Sequence, residues 1–141
     1  MENRLYYWKL ACYETSGNLP KRAIGKSNFI DLSLLPKETM REEYRRYFLY
    51  RGGQVSLNTI CHEKTYYHQV CKALQLRKNI PDSFLGWQPS KWIELLKIWM
   101  LQNGIPFYKE KETLYGTISR TDAPVLQHLK RFLRFIQPED M

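Results

Sequence analysis

Four residues in one short stretch, Cys61, His62, His68 and Cys71, carry the groups most able to do chemistry. On a helix Cys61, His68 and Cys71 fall within about one quadrant. Zinc sites show tighter ligand pairs and a fourth ligand, so the spacing predicts buried or half-buried structural thiols and no metal. With Cys12 the chain has three cysteines and no CxxC pair. An odd count without that spacing argues against a disulfide framework and for a reducing compartment. Cys71 has His68 three positions before it, within reach of a thiolate–imidazole pair. Helix-borne pairs on a core face serve packing far more often than catalysis. The sequence has no Gly-rich phosphate loop, GxSxG or HExxH motif, and its three histidines are His62, His68 and His128. It therefore predicts no cofactor and no catalysis by this chain alone.

Two polar stripes carry the stronger signal. Gln127, Lys130, Arg131 and Arg134 recur at i, i+3, i+4 and i+7, opposite an apolar face formed by Val125, Leu126, Leu129, Phe132, Leu133 and Ile136. Three cations and an amide on one helix surface suit phosphates and base edges, since Arg pairs bidentately with guanine and Gln with adenine. Read along the chain, this stripe has no acidic neighbour. The second stripe is Asn58, His62, Thr65, Gln69 and Lys72, at steps of four, three, four and three. Uncharged donors and acceptors beside a cation are the residue types that read a groove, while Lys and Arg grip the backbone. A solvated helix face can look the same, and Glu63 close to the second stripe argues against a polyanion there. From these stripes the DNA-contact candidates are Asn58, His62, Gln69, Lys72, Gln127, Lys130, Arg131 and Arg134. Arg41, Arg45 and Arg46 read as a solvated helix face.

The charge balance agrees with an acidic partner. The 141 residues hold 22 Lys+Arg and 14 Asp+Glu, a formal net charge of +8. Most of that excess lies between residues 37 and 80. A surplus of this kind favours nucleic acid first among acidic partners. At 43% apolar and 14% aromatic, the composition describes a folded single domain rather than a disordered tail. No apolar run approaches the ~20 residues of a bilayer span. Met1-Glu2-Asn3-Arg4 lacks the apolar segment of a signal peptide, so the expectation is a soluble, uncleaved protein.

The elements that must position these stripes follow from periodicity and punctuation. Residues 1–35 read as an irregular N-terminal arm, with a turn at Ser16-Gly17-Asn18-Leu19-Pro20. Leu5-Tyr6-Tyr7-Trp8 is too short to assign, and Asn28-Phe29-Ile30-Asp31-Leu32 reads as a brief strand or an arm laid on the core. Residues 36–138 read as four helices. The first begins after Pro36, buries Met40, Tyr44, Tyr47 and Phe48, sets Glu42 four residues before Arg46, and stops at Arg51-Gly52-Gly53 through a left-handed glycine. Ser56 caps a second helix running to about Arg77, with Leu57, Ile60, Tyr67, Val70, Cys71 and Leu74 inward. Ser90 caps a third, apolar nearly all round and therefore expected to be the most buried, which Asn103-Gly104 stops. Residues 105–120 read as a polar connection with a helical turn around Glu110–Leu114. Asp122 caps the fourth helix, with Pro124 in its first turn and Pro138 closing it. Four helices and no confident sheet predict a compact all-α domain.

Val55-Ser56-Leu57-Asn58-Thr59-Ile60, followed by Tyr67, Val70, Ala73 and Leu74, resembles the second helix of the core-binding domain of tyrosine recombinases, the phage-type integrases. The lead-in Asn28–Leu32, then Met40-Arg41-Glu42-Glu43 and Phe48-Leu49-Tyr50-Arg51, is similar to the first helix of integrases from Gram-positive bacteria. Leu126-Gln127-His128-Leu129-Lys130-Arg131-Phe132-Leu133-Arg134-Phe135-Ile136 is similar to the family's last core-binding helix. The resemblance covers about residues 28–137 and rests on helix order and hydrophobic spacing.

This resemblance implies a four-helix, SAM-like unit that forms half of a C-shaped clamp on double-stranded DNA. Its second and fourth helices, the two with polar stripes, would approach the major groove of a recombination site. It further implies a bacterial cytoplasmic protein, possible contacts with other recombinase protomers, and a role in DNA integration and recombination. The family's two arginines, its histidine or lysine and its tyrosine nucleophile reside in a separate catalytic domain. Gln137-Pro138-Glu139-Asp140-Met141 lies about where the interdomain linker would start, so the ten tyrosines are expected to be core or rim aromatics. The rival reading is a helical protein–protein module docking through the aromatic arm Leu5-Tyr6-Tyr7-Trp8. A small repressor would need a dimer contact that the sequence does not display.

Overall fold

The computed structural model describes residues 7–9 and 29–137. Cys12, the Ser16–Pro20 turn, Leu5-Tyr6 of the aromatic arm and the closing Pro138 lie outside the described residues. Two short strands, β1 (Tyr7–Lys9) and β2 (Phe29–Asp31), pair antiparallel, with Trp8 opposite Ile30. Four helices follow: α1 (Glu38–Gly52), α2 (Leu57–Leu74), α3 (Pro89–Gln102) and α4 (Pro124–Ile136). Between α3 and α4 stands an antiparallel hairpin of β3 (Tyr108–Glu112) and β4 (Ile118–Asp122). The protein is thus mostly helical with two small sheets. The hairpin replaces the expected polar connection and helical turn.

The apolar period builds one core. Met40, Tyr44, Tyr47 and Phe48 of α1, Ile60, Tyr67, Val70, Cys71 and Leu74 of α2, and Leu126, Leu129, Phe132 and Leu133 of α4 are all buried. Tyr44 and Phe132 stack with ring centroids 3.9 Å apart and planes 8° from parallel. The expected β2 segment is laid on that core: Ile30 is buried, and the Tyr67 hydroxyl donates to the Asp31 carbonyl at 2.7 Å. Offset and edge-on ring pairs of this kind add to the area they bury.

The helix ends follow the expected punctuation in part. Ser56 caps α2, accepting from the Thr59 amide at 3.2 Å, as expected. That helix ends at Leu74 rather than Arg77, its last amides turning to carbonyls three residues back. Gly104 takes φ +69° and the Ile105 amide bonds to the Met100 carbonyl at 2.9 Å, the left-handed ending that stops α3. Gly53 does not: its φ is −83°, so α1 unwinds through ordinary right-handed turns. Ser90 and Asp122 are not caps. Pro89 and Pro124 occupy the first helical positions, where a missing N–H costs nothing, and so move the caps to Gln88 and Ala123.

The third helix is not the most buried. Trp92, Leu95, Leu96, Trp99 and Met100 face inward, but Ile98 and Leu101 are exposed, Leu101 to 72%. All four helices contribute to the core, and α2 packs most extensively on α4.

Candidate nucleic-acid interface

Glu63, at an inward position of α2, is buried and organises the face between α1, α2 and α4. Its Oε1 accepts from the Tyr47 hydroxyl at 2.7 Å and lies 2.6 Å from His128 Nδ1. Its Oε2 accepts from Arg51 Nε at 2.8 Å and Arg131 Nη1 at 3.0 Å. The far nitrogen of His128, Nε2, sits 2.8 Å from the Tyr44 hydroxyl. One proton arrangement satisfies every group: Tyr44 donates to Nε2, and a neutral imidazole donates from Nδ1 to the carboxylate. Burial alone would raise the Glu63 carboxyl, but the bonds from His128, Tyr47 and Arg51 hold it down at about 2. Burial pushes the His128 imidazole below its ordinary value, and the nearby Arg131 and Arg51 charges add to that against the pull of Glu63.

The carboxylate fixes two guanidiniums from behind. Arg51 and Arg131 are partly exposed, and with exposed Arg134 they line a shallow hollow of about 430 Å³ between α1 and α4. Gln54 joins them, and Tyr50 and Phe135 wall the hollow, their rings 5.0 Å apart. Three guanidiniums against one carboxylate leave a local excess of positive charge. A planar fork held in place loses little freedom when it meets an oxyanion.

The α4 stripe is not free of acids, contrary to the sequence reading. Lys130 Nζ meets the Asp122 carboxylate at 2.5 Å, Gln127 Nε2 donates to the Asp122 carbonyl at 2.8 Å, and Arg131 is shared with Glu63. Asp122, released from capping by Pro124, is available to take both side chains. Gln127, Lys130, Arg131 and Arg134 surround a second hollow of about 310 Å³ that includes Asp122. The α2 stripe forms a separate surface. Asn58, His62, Thr65 and Lys72 are exposed and Gln69 half-buried, and the helical period sets this stripe on the side of α2 turned away from Glu63. The structure thus joins Arg131 and Arg134 of α4 to Arg51 at the end of α1 and to Gln54 in the turn after it, neither of which the sequence singles out, rather than to the α2 candidates. Their one sequence signal is position: both are polar residues at or just beyond the end of a helix.

Cys61 and Cys71 take structural places. Cys61 is half-buried and Cys71 buried, and burial pushes the Cys71 thiol up to about 12, far from a reactive thiolate. Among the described residues no group of three or more His, Cys, Asp and Glu is arranged to hold a metal, and no helix is long and apolar enough to cross a membrane. Arg45 and Arg46 both pair with Glu42, at 2.8 and 3.7 Å, and Arg41 Nε donates to the Leu35 carbonyl. Comparison with family models, curated proteins and solved structures finds no match to this chain.

Proposed function

We propose that this chain is a DNA-binding domain of the tyrosine-recombinase core-binding type, gripping duplex DNA through α4 and the adjoining end of α1, with the α2 stripe as a second contact. The observation that carries the reading is the set of Arg51, Arg131 and Arg134 around one hollow, two of them oriented by Glu63. Preorganised guanidiniums suit phosphate oxygens, and the net charge of +8 supplies the long-range attraction. The order of four helices supports the family reading, while the α2 stripe, on a separate surface, would contact DNA apart from the α4 hollow. It assigns gripping to this chain and strand cleavage to the family's separate catalytic domain.

Lys130 and Gln127, tied to Asp122, become secondary contacts in this reading, and Arg134 a leading one. Half a clamp makes few phosphate contacts, so affinity on arbitrary sequence is expected near micromolar or weaker, about the nonspecific range. Fluorescence anisotropy of a labelled duplex, titrated at low and then moderate salt, tests the reading. Binding that weakens steeply with salt is expected. Absence of binding at low salt and high micromolar protein would overturn it and favour a protein–protein module.

A further inference from the structure

The hairpin β3–β4 has a different composition on each of its faces. Residues directly opposite in an antiparallel pair share a face, and successive residues alternate. The register sets Lys109 opposite Thr121 and Lys111 opposite Ser119, so one face carries two lysines and two hydroxyls without a carboxylate. The other face carries Tyr108, Glu110, Glu112 and Arg120. There Glu110 and Arg120 pair at 3.0 Å, and the Tyr108 ring meets Arg120 at 5.1 Å and Lys97 of α3 at 5.8 Å. Lys109, Lys111, Ser119 and Thr121 are all exposed, so the lysine face is open to solvent.

Nothing in the core requires this ribbon. All five residues of β3 are exposed, and the tip holds Leu114 at 98% and Tyr115 at 91% exposure. Five strand residues give a reach of roughly 17 Å, enough to enter a major groove about 8.5 Å deep that admits a two-stranded ribbon.

From this segregation of charge we infer that the Lys109–Lys111 face of the hairpin is a further nucleic-acid contact, laid against the phosphate backbone of duplex DNA. The inference rests on the DNA-binding reading above. Sheet pairing with a second copy is disfavoured by the same pattern. An antiparallel two-fold pairing along β3 that keeps each face continuous aligns odd positions with odd and even with even, placing lysine against lysine and glutamate against glutamate. The lysine face is instead complementary to a polyanion, and Ser119 and Thr121 add hydroxyl donors suited to phosphate oxygens.

The test compares the full chain with Lys109→Ala/Lys111→Ala and Glu112→Gln in duplex anisotropy titrations across a salt series, with circular dichroism of each variant. The double variant is expected to keep its helical spectrum, weaken binding several-fold and reduce the salt slope by about two, roughly one per phosphate contact. Glu112→Gln, on the opposite face, is expected to leave the slope unchanged. Wild-type binding with an unaltered slope in the double variant overturns the hairpin contact and leaves the DNA reading standing. No wild-type binding overturns both. Concentration-dependent dimerisation in sedimentation, abolished in the double variant, would assign the face to a second copy and overturn the inference.

Discussion

His128 Nδ1 lies 2.6 Å from Glu63 Oε1 across 65 residues of sequence, both side chains buried. The pair ties α4 to α2, and the same carboxylate holds Arg51 of α1. Stability and the arrangement of the proposed phosphate site therefore depend on one group. Glu63→Gln leaves two guanidiniums without their countercharge and turns one acceptor into a donor facing donors. The expected loss is about 3 kcal/mol, the low end for breaking a buried pair because both arginines keep solvent contact. Urea unfolding checks it, and a loss within experimental error would remove Glu63 from its organising role.

Acid should unfold the protein in two stages. The native Glu63 carboxyl sits at about 2 against an ordinary 4.5. Its contribution is fully present above pH 4.5 and is lost as pH falls toward 2. The native His128 imidazole is held below its ordinary 6.5, so an unfolded chain takes up a proton first as pH drops below that value. Stability then falls on the acid side of about pH 6.5, before carboxylates titrate. Urea midpoints between pH 8 and pH 3 should decline from the neutral end. In His128→Gln the upper stage should shrink to what His68, also held below 6.5 by burial, contributes, and a wild-type midpoint constant from pH 7 to pH 5 would contradict the buried neutral imidazole.

A backbone position offers a sharper test of packing. A Cβ built on Gly86 would stand 2.4 Å from Pro81 Cβ. The turn is anchored nearby, where buried Glu43 accepts from the Phe84 amide at 2.9 Å and the Trp92 indole donates to the Phe84 carbonyl at 2.8 Å. Gly86→Ala should cost roughly 1–3 kcal/mol, the range for overpacking. A thermal midpoint equal to wild type would show that Pro81 yields freely.

Arg134 carries the interface prediction. It lines both hollows of α4 and is exposed. Arg134→Ala should leave thermal stability unchanged, lower DNA affinity on every sequence, and reduce the salt slope by about one. A weaker affinity restricted to one sequence would make it a base reader instead.

The four helices were legible because their apolar residues keep the helical period and their ends carry Ser, Pro and Gly signals. The hairpin was not. Lys109-Glu110-Lys111-Glu112 has no apolar alternation and is made of good helix formers. Its strand form is fixed by cross-strand pairing and by Gly116, at φ +79°, in the turn. The inward place of Glu63, close in sequence to the second stripe, was not legible because its partners, Arg131 and His128, are distant in sequence. Asp122 was read as a cap because local spacing says nothing of Lys130 folding back onto it. The α4 stripe was found by period, but its pairing with Arg51 is a tertiary fact with no local trace.

The stacking of Tyr44 on Phe132 joins the first helix to the last. While the polypeptide is being synthesised, α1 emerges with Tyr44 and Tyr47 lacking the phenyl rings and the imidazole of α4 that later cover them. Burial of these groups waits until α4 has left the ribosome, so the nascent domain must remain open for most of its translation and then close in one late, cooperative step.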